Sequence, residues 1–408
     1  MSEWKTYKLG ELVTIKGGKR LPKGVLLQST PNSHPYIRIR DLGKTRILEL
    51  DSTYEYVDDL TQKCIARYIV EKGDILLSIV GTIGLVGIVG ESLHLANQTE
   101  NCVKLINLNK VDRLYLYYYL SSKIGQIEIQ KGIVGAVQAK LPIKNIENIE
   151  ISLPPLAEQK RIADILSAID DKIELNRRIN ANLEQQAQAL YKSWFVDNKK
   201  DDWKEVPLSE VADFVGGYSY KGNELVESSM TAMATIKNFE RKGGFKVDGF
   251  KDIVASNKLK AEHHANLFDI LVAHTDLTQN ADVIGNAEML LTFDKYSDII
   301  FSMDLVKVLP KQTFPYKYLL AALLKNPHFK KHCMGYVNGT TVLHMSKKAL
   351  PEYIVNLPSI EEIQSMDNAF KAYYLKMAEI LQENNSLSTL RDTLLPKLMS
   401  GEIKVPTN

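Results

Sequence analysis

The sequence predicts an α+β fold with two mixed α/β domains in tandem. Each domain is followed by one long helix, and the two helices form an antiparallel coiled coil with pseudo-twofold symmetry. Three observations support this prediction. A unit of about 200 residues occurs twice, each copy ends in about forty residues with helical spacing, and the two helical runs share one heptad register.

The repeat is clearest near the start of each copy. "WKTYKLGELVTIKGG" at 4–18 aligns without a gap to "WKEVPLSEVADFVGG" at 203–217. Further on, "IRDL" at 39–42 matches "IKNF" at 236–239, and "KGDILLS" at 72–78 matches "LFDILVA" at 267–273. Short β-rich runs alternate with Gly, Asn and Pro turns, which predicts strand-rich domains with few helices. The predicted boundaries are 1–155 and 198–358 for the domains, and 156–197 and 359–402 for the helices.

Apolar residues at strict 4,3 spacing predict a coiled-coil seam in both helical runs. We expect helices over about 157–195 and 361–400, because a continuous seam needs unbroken helix. Asn180 and Asn384 occupy equivalent positions, and a buried seam Asn lowers stability but sets the register. The alternative is that each helix lies on its own domain; the matched registers favour mutual pairing. The predicted seam residues are Ile162, Leu166, Ile169, Ile173, Asn180, Leu183, Leu190, Met366, Phe370, Met377, Ile380, Asn384, Leu387 and Leu394.

Composition narrows the class of protein. Three cysteines without paired spacing favour a reducing cytoplasm and argue against a disulfide framework or a zinc site. The longest apolar run, residues 75–90, is short for a membrane span and contains four glycines, so we predict strands and turns there. The helical runs 156–195 and 359–402 carry net charges of 0 and −3, so the chain's +2 leaves +5 for the remainder. This excess of positive charge in the domains favours a nucleic-acid partner.

Motifs for catalysis are missing from the sequence. The one Pro-Pro, in "SLPPL" at 152–156, lacks the Asn or Asp and the aromatic residue that hold a flipped adenine. "RIRDLGKT" at 38–45 has Arg38 where a phosphate-binding loop needs glycine. No Pro-Asp pair opens a nuclease motif, and adjacent histidines are badly spaced for a metal. We therefore expect no catalytic residues, no metal and no enzymatic activity in this chain.

Several segments resemble the specificity subunits of type I restriction–modification systems. They are "LPPLAEQKRIADILSAIDDKIELNRRIN" at 153–180, "QAQALYKSWFVD" at 186–197, "GDILLSIVGTIG" at 73–84 and "TLLPKLMSGEI" at 393–403. The second helical run departs from the pattern, with Ile363 in place of Gln159 and Ser365 in place of Arg161.

The resemblance implies two target recognition domains that read the two halves of a bipartite double-stranded DNA target. It implies that the helices dock two modification subunits, which bind S-adenosylmethionine and methylate adenine. Two restriction subunits would use ATP and magnesium to translocate and cleave DNA in phage defence. This chain would then be a non-catalytic, cytoplasmic specificity subunit. The alternative is a non-enzymatic coiled-coil scaffold whose domains bind protein, against which the basic excess argues.

Candidate DNA contacts fall into loops and strand ends. The acid-free loop 16–24 suits phosphate contacts, although a solvated turn remains an equal alternative. Arginine and asparagine suit guanine and adenine edges, and short polar side chains follow the strand at 267–273. The predicted DNA contacts are Lys16, Lys19, Arg20, Lys23, Arg38, Arg40, Gln138, Lys140, Tyr218, Tyr220, Lys221, Lys237, Asn238, His274, Thr275, Asp276, Gln279, Asn338, Thr340, Thr341 and His344.

Overall fold

The computed structural model describes residues 4–135 and 137–405, which divide into two compact units. The first unit comprises the residues up to Ile173 together with those from Leu387 onward. The second unit comprises Glu174–Ser386. Each long helix therefore contributes one part to each unit.

The first unit is built mainly from short strands. They are β1 Lys5–Lys8, β2 Thr14–Gly17, β3 Pro35–Ile37, β4 Ile47–Leu48, β5 Glu55–Tyr56, β6 Ile75–Ser78, β7 Val86–Val89, β8 Asn97–Gln98, β9 Cys102–Ile106 and β10 Glu150–Leu153. Its helices are α1 Leu9–Leu12, α2 Asp59–Ile65, α3 Arg113–Ser121, α4 Lys123–Lys131 and α5 Ile143–Glu147, and the long helix α6 spans Leu156–Lys192.

The second unit is again rich in short strands. They are β11 Lys204–Pro207, β12 Ala212–Gly216, β13 Thr231–Ala234, β14 Lys251–Asp252, β15 Ile270–Ala273, β16 Thr275–Asp276, β17 Ala287–Met289, β18 Asp298–Phe301, β19 Leu305–Pro310, β20 Val337–Asn338, β21 Leu343–Met345 and β22 Ile354–Leu357. Its helices are α7 Leu208–Val211, α8 Lys317–Leu324, α9 Pro327–Met334 and α10 Ala349–Glu352, and the second long helix α11 spans Ile360–Met399.

The strands of each unit form one larger sheet and several smaller ones. In the first unit, the five-stranded sheet has the order β2-β9-β6-β7-β4 and is accompanied by the sheet β5-β3-β8 and the pair β1-β10. In the second unit, the four-stranded sheet has the order β12-β19-β15-β17 and is accompanied by the sheets β14-β13-β18 and β16-β21-β20 and the pair β11-β22.

The two units repeat the same topology, as the sequence predicts. The order β2-β9-β6-β7 in the first unit corresponds to β12-β19-β15-β17 in the second. The repeat extends to backbone conformation. Gly73 and Phe268 both have a positive φ, of 87° and 69°, and so do Gly84 and Gly285, at 93° and 76°. A left-handed phenylalanine is costly, so its retention at Phe268 shows that the turn is dictated by the surrounding fold.

The long helices pair in antiparallel fashion, as predicted. Within the second unit, the Asn176 side-chain amide donates to Asn384 Oδ1 at 2.9 Å, and the Trp194 and Phe370 rings meet edge-on at 5.7 Å. Residue numbers rise along one helix as they fall along the other. Within the first unit, Arg391 on α11 forms an ion pair with Asp170 on α6 at 2.9 Å. The predicted seam residues are buried or half-buried in both helices.

The asparagines that form a hydrogen bond in the seam are not the two that occupy equivalent positions in the repeat. Asn180 and Asn384 occupy equivalent repeat positions, but the hydrogen bond to Asn384 comes from Asn176. Asn180 donates instead to the Met377 carbonyl at 3.3 Å. In an antiparallel pair, equivalent positions on the two helices do not face each other except at the centre of the pairing. Asn176 therefore contributes the register-setting amide, since it is fully buried.

A buried ion cluster joins α6 to the second unit. Lys325, just after α8, contacts the carboxylates of both Glu184 on α6 and Glu288 on β17, with the Glu288 contact at 2.5 Å. Burial raises the pKa of Glu288, and Lys325 opposes that rise only in part. Glu288 also accepts a hydrogen bond from the Gly244 backbone amide at 2.6 Å. The cluster thus links the long helix, a strand and a surface loop.

Within the described residues, no helix combines the length and the apolarity needed to span a bilayer.

Candidate nucleic-acid interface

The first unit gathers several loops at one edge of its sheets, which we call the first edge. It consists of residues 16–23, 38–41, 79–84, 98–101, 132–135 and 137–140. Strands β3 and β8 are parallel, so their carboxyl ends lie together, and the Thr99 amide donates to the Ile37 carbonyl at 3.1 Å. The loop after β2 joins them, since the amide of Lys19 donates to the Gln98 carbonyl at 3.5 Å.

Two further loops complete the first edge. The amide of Ile79, just after β6, donates to the Asn101 carbonyl at 2.8 Å. The next residue, Val80, forms a β-bridge with Lys140. A side chain at Gly81 would lie 3.3 Å from the Ile39 methyl group, so glycine permits the close approach of these two loops. Segments that are distant in sequence thereby share one surface.

The predicted contacts of the first unit lie on this edge. Arg20 pairs with Glu100 at 2.9 Å, and the Lys19 ammonium lies 5.8 Å from the centre of the Tyr68 ring. Arg38 is half-buried, and the remaining predicted residues of this unit are exposed: Lys16, Lys19, Arg20, Lys23, Arg40, Gln138 and Lys140. The edge therefore presents a mainly cationic surface with one exposed amide, which suits a polyanion.

A carboxylate holds two of these arginines. Glu55 on β5 contacts Arg38 Nη2 at 2.5 Å and Arg40 Nη2 at 3.3 Å through the same oxygen. Arg40 also donates to the Thr53 carbonyl at 2.8 Å. Arg38 directly precedes the 3₁₀ turn Ile39–Asp41, and Arg40 lies within it. The turn is capped by Asp41, which accepts from the Arg38 amide at 2.7 Å.

The second unit builds an equivalent edge, called the second edge, from residues 216–222, 235–238, 273–280, 302–304 and 337–345. Strands β13 and β18 are parallel, and the Ser302 amide donates to the Ala234 carbonyl at 2.9 Å. The loop after β12 docks on them, because the Tyr218 amide donates to the Phe301 carbonyl at 2.7 Å and its carbonyl accepts from Met303 at 2.9 Å.

The remaining segments of the second edge converge on His274. The His274 amide donates to the Asp304 carbonyl at 2.8 Å, and its own carbonyl accepts from Met345 at 2.9 Å. Strand β21 places His344 opposite both Thr275 and Asn338. The sheet β16-β21-β20 thus brings together polar residues predicted from two distant segments.

Four of the predicted DNA contacts have buried side chains, so the structure does not place them on the outer surface of the edge. Asn238 is 0% exposed and Tyr218 is 1% exposed. The Asn238 amide caps its own 3₁₀ turn and donates to the Lys246 carbonyl at 2.7 Å. The Tyr218 hydroxyl donates to Glu224 at 2.6 Å. Burial of these hydrogen-bonded groups stabilises the loops instead.

The other two buried residues are Thr275 and Asp276, at 3% and 4% exposed. The Thr275 hydroxyl donates to Asp304 at 2.9 Å. Asp276 accepts from the amides of Thr278 and Val283, at 2.8 and 2.9 Å, and so shapes the loop after β16. Short polar residues after a strand can cap a turn as readily as they can read a base.

The remaining predicted residues of the second unit lie at the second edge. His274 is half-buried; burial, followed by the nearby His344 and Lys347, lowers the pKa of its imidazole. The Gln279 amide donates to the Thr340 carbonyl at 2.8 Å, which joins two loops. Tyr220 is half-buried, and the exposed residues are Lys221, Lys237, Gln279, Asn338, Thr340, Thr341 and His344.

Three acidic residues at or beside the edges were missed by the sequence analysis: Glu55, Glu100 and Asp304. Each contacts a predicted residue, namely Arg38, Arg20 and Thr275 in turn. A search for basic side chains passes over them. For Glu55 the signal is the strand register, because Glu55 lies opposite Tyr36 and therefore close to Arg38.

No group of three or more His, Cys, Asp or Glu side chains suited to a metal ion occurs among residues 4–135 and 137–405.

Known proteins similar to this chain indicate its class. Residues 1–185 match the family described as the type I restriction modification DNA specificity domain. The chain is 25% identical to the type I restriction enzyme MjaVIII specificity subunit of Methanocaldococcus jannaschii, over 99% of this chain and 93% of that protein. It is also 25% identical to the HindI specificity subunit of Haemophilus influenzae, over 99% and 100%.

A solved structure shares the fold. The crystal structure of the type I restriction-modification S subunit from M. genitalium matches with a TM-score of 0.54 and 18% identity, over 100% of this chain and 97% of that one. Residues 1–185 are thus similar to a DNA specificity domain. Over almost its whole length the chain is similar to the specificity subunits of type I restriction enzymes, which confirms the resemblance seen in the sequence.

Proposed function

We propose that the chain recognises a bipartite DNA sequence, with one half-site read by each unit. The observation that carries the proposal is the pair of edges. The same topology gathers loops at the carboxyl ends of parallel strands in both units, and the exposed side chains differ between them. Arginines and Gln138 face outward from the first edge, whereas Gln279, Asn338 and His344 face outward from the second. Different donors and acceptors select different bases.

We further propose that the chain directs catalytic partners to this target and performs no chemistry itself. Two modification subunits, which bind S-adenosylmethionine and methylate adenine, would dock on the long helices. Two restriction subunits would hydrolyse ATP with magnesium and would translocate and cleave DNA. Exposed apolar residues on the helices offer docking surfaces away from the seam: Ile165, Leu175, Ile179, Leu375 and Leu390.

A binding selection tests the proposed recognition. The full chain, co-expressed with its modification subunits, is incubated with a randomised duplex library, and bound DNA is sequenced at several salt concentrations. We expect two conserved blocks separated by unselected bases, with affinity that falls steeply with salt. The same complex should methylate the selected sites, and the chain alone should not.

One outcome favours the scaffold alternative. If the complex shows no salt-dependent binding to duplex DNA, the edges bind something other than DNA. A single conserved block would contradict the assignment of one half-site to each unit.

A further inference from the structure

The contact between Glu55 and two arginines is unusual for a surface that binds DNA. A carboxylate repels phosphate, so an acidic side chain among cationic ones needs a reason. Glu55 reaches both Arg38 and Arg40 with a single oxygen, at 2.5 and 3.3 Å. The side chains of Arg38 and Arg40 are 30% and 50% exposed, and that of Glu55 is 28% exposed. Such partly exposed pairs contribute little to stability.

Strand register fixes the place of Glu55. Strand β5 pairs antiparallel with β3, which sets Glu55 opposite Tyr36 and beside the end of β3, where Arg38 follows. The Thr53 carbonyl, two residues before Glu55, accepts from Arg40 at 2.8 Å. The two guanidinium groups therefore have a common anchor on one short strand, and they lie on either side of the start of the capped turn Ile39–Asp41.

The second unit lacks this arrangement at the equivalent positions. Strand register there sets Lys251 opposite Met233, where the first unit has Glu55 opposite Tyr36. The capped 3₁₀ turn begins after Thr235 and contains Lys237, in place of Arg38 and Arg40. Where the first unit has Glu55, Arg38 and Arg40, the second unit therefore has Lys251, Thr235 and Lys237. At these positions, a carboxylate that contacts two arginines therefore occurs in the first unit only.

We propose that Glu55 is a positioning residue that orients Arg38 and Arg40 to read guanine in the half-site of the first unit. The inference rests on the proposed function and names part of its specificity. Arginine recognises guanine by two parallel hydrogen bonds to O6 and N7, which demands a fixed guanidinium plane. A guanidinium carries five N–H donors, and the contact with Glu55 uses Nη2 of each arginine. Holding Nη2 leaves the Nη1 and Nε donors of Arg38 for a base and lowers the entropy lost on binding. Arg40 keeps mainly its Nη1 donors, because its Nη2 also donates to Thr53 and its Nε lies 3.6 Å from Asp41.

The test compares base preferences of the full chain with its modification subunits on the randomised library. Glu55→Ala should lower the preference for guanine about tenfold, at the same position that responds to Arg38→Ala or Arg40→Ala. The other half-site should keep its sequence. Glu55→Gln keeps one oxygen acceptor and should restore part of the preference. Thermal unfolding of Glu55→Ala should match wild type, which shows that the domain still folds.

Glu91→Ala is the matched control. Glu91 makes an ion pair with Lys72 in the same unit, but it follows β7, which runs antiparallel to β6 and so ends away from the first edge. This variant removes the same charge and should leave both half-sites unchanged.

Two results overturn the inference. If Glu55→Ala strengthens binding to all sequences alike with an unchanged base preference, Glu55 acts only through charge. If Arg38→Ala and Arg40→Ala alter no guanine position, these arginines do not read the target. A wild-type complex that selects no sequence would instead reject the proposed function, and this inference with it.

Discussion

The two units share a backbone plan but differ in the side chains that they place on it. In both, parallel strands end at one edge, and a buried side chain caps a 3₁₀ turn there. The cap is Asp41 in the first unit and Asn238 in the second, and each accepts a hydrogen bond from the backbone amide three residues earlier, at 2.7 and 2.8 Å. The neighbouring residues differ: Arg38 and Arg40 in one, Thr235 and Lys237 in the other, so only a basic residue within the turn is common to both.

This difference shows that residues at an edge have one of two roles: they hold the loops in place, or they face outward. Buried polar groups such as Asn238 hold the loops, so the fold constrains them. Exposed groups such as Arg40 or Gln279 are free to differ, because surface substitutions change stability little. A repeated fold can therefore present two unrelated recognition surfaces.

The largest expected effect on stability comes from removing an ion pair that holds a long helix within its unit. Lys325→Met in the second unit removes the cation between Glu184 and Glu288. We expect the free energy of unfolding to fall by about 3–5 kcal/mol, because a buried carboxylate is left uncompensated. Equilibrium urea unfolding, followed by the fluorescence of Trp194 and Trp203 in the second unit, measures it. Adding Glu288→Met should recover much of the stability. Arg391→Met in the more exposed first-unit pair should cost only about 1 kcal/mol.

The two caps predict a difference in pH dependence. Burial, opposed by Arg40 and Lys44, raises the pKa of Asp41 from 3.8 to about 6. The folded state then holds its proton more tightly than the unfolded state, so this contribution to stability is complete below about pH 4 and is lost as the pH rises to about 6. The loss is about 3 kcal/mol for a shift of this size.

Asp41→Asn gives the first unit the same capping side chain as the second unit. It should remove the loss of stability that accompanies the rise in pH. The variant should be more stable than wild type above about pH 6, and the difference should shrink towards pH 4. Urea unfolding at both pH values, followed by Trp4 fluorescence, gives the comparison. A variant less stable than wild type at about pH 8 would show that the carboxylate is needed in its charged form.

Exchanging exposed groups on the second edge should change one half-site only. Gln279→Ala together with His344→Ala should weaken recognition of one block of bases by about 1–3 kcal/mol for each base that these side chains read. Gln138→Ala on the first edge is the matched control and should affect the other block. Methylation of a randomised library by the reconstituted complex reads out both. Changes in both blocks from either variant would mean that the edges do not read independently.

The smallest effect is expected from the basic loop of the first edge. Lys19→Ala with Lys23→Ala should weaken binding to all sequences alike, since contacts to phosphate carry no base information. The slope of log affinity against log salt should become shallower by about 0.9 for each phosphate that these lysines neutralise. Lys8→Ala, on the exposed strand β1, should leave the slope unchanged. An altered base preference would assign the loop to base readout.

The sequence alone determined the architecture of this protein. A repeat such as Trp4 with Trp203 can be recognised without coordinates, and heptad spacing shows an apolar stripe directly, because helical periodicity is local. Both the long helices and their antiparallel pairing were predicted on that basis. The helix ends differ from the predicted ones by only a few residues.

Which polar side chains face outward depends on contacts between distant parts of the chain. Asn238 and Thr275 carry the chemistry of base readers, yet they are buried and hold loops in place, and nothing in their local sequence distinguishes the two uses. The partner of Asn384 is Asn176 and not its repeat equivalent, because the choice depends on how two helices distant in sequence are aligned. Glu55 became visible only through the pairing of β3 and β5. Burial and register depend on contacts between distant segments, and a linear pattern does not contain those contacts.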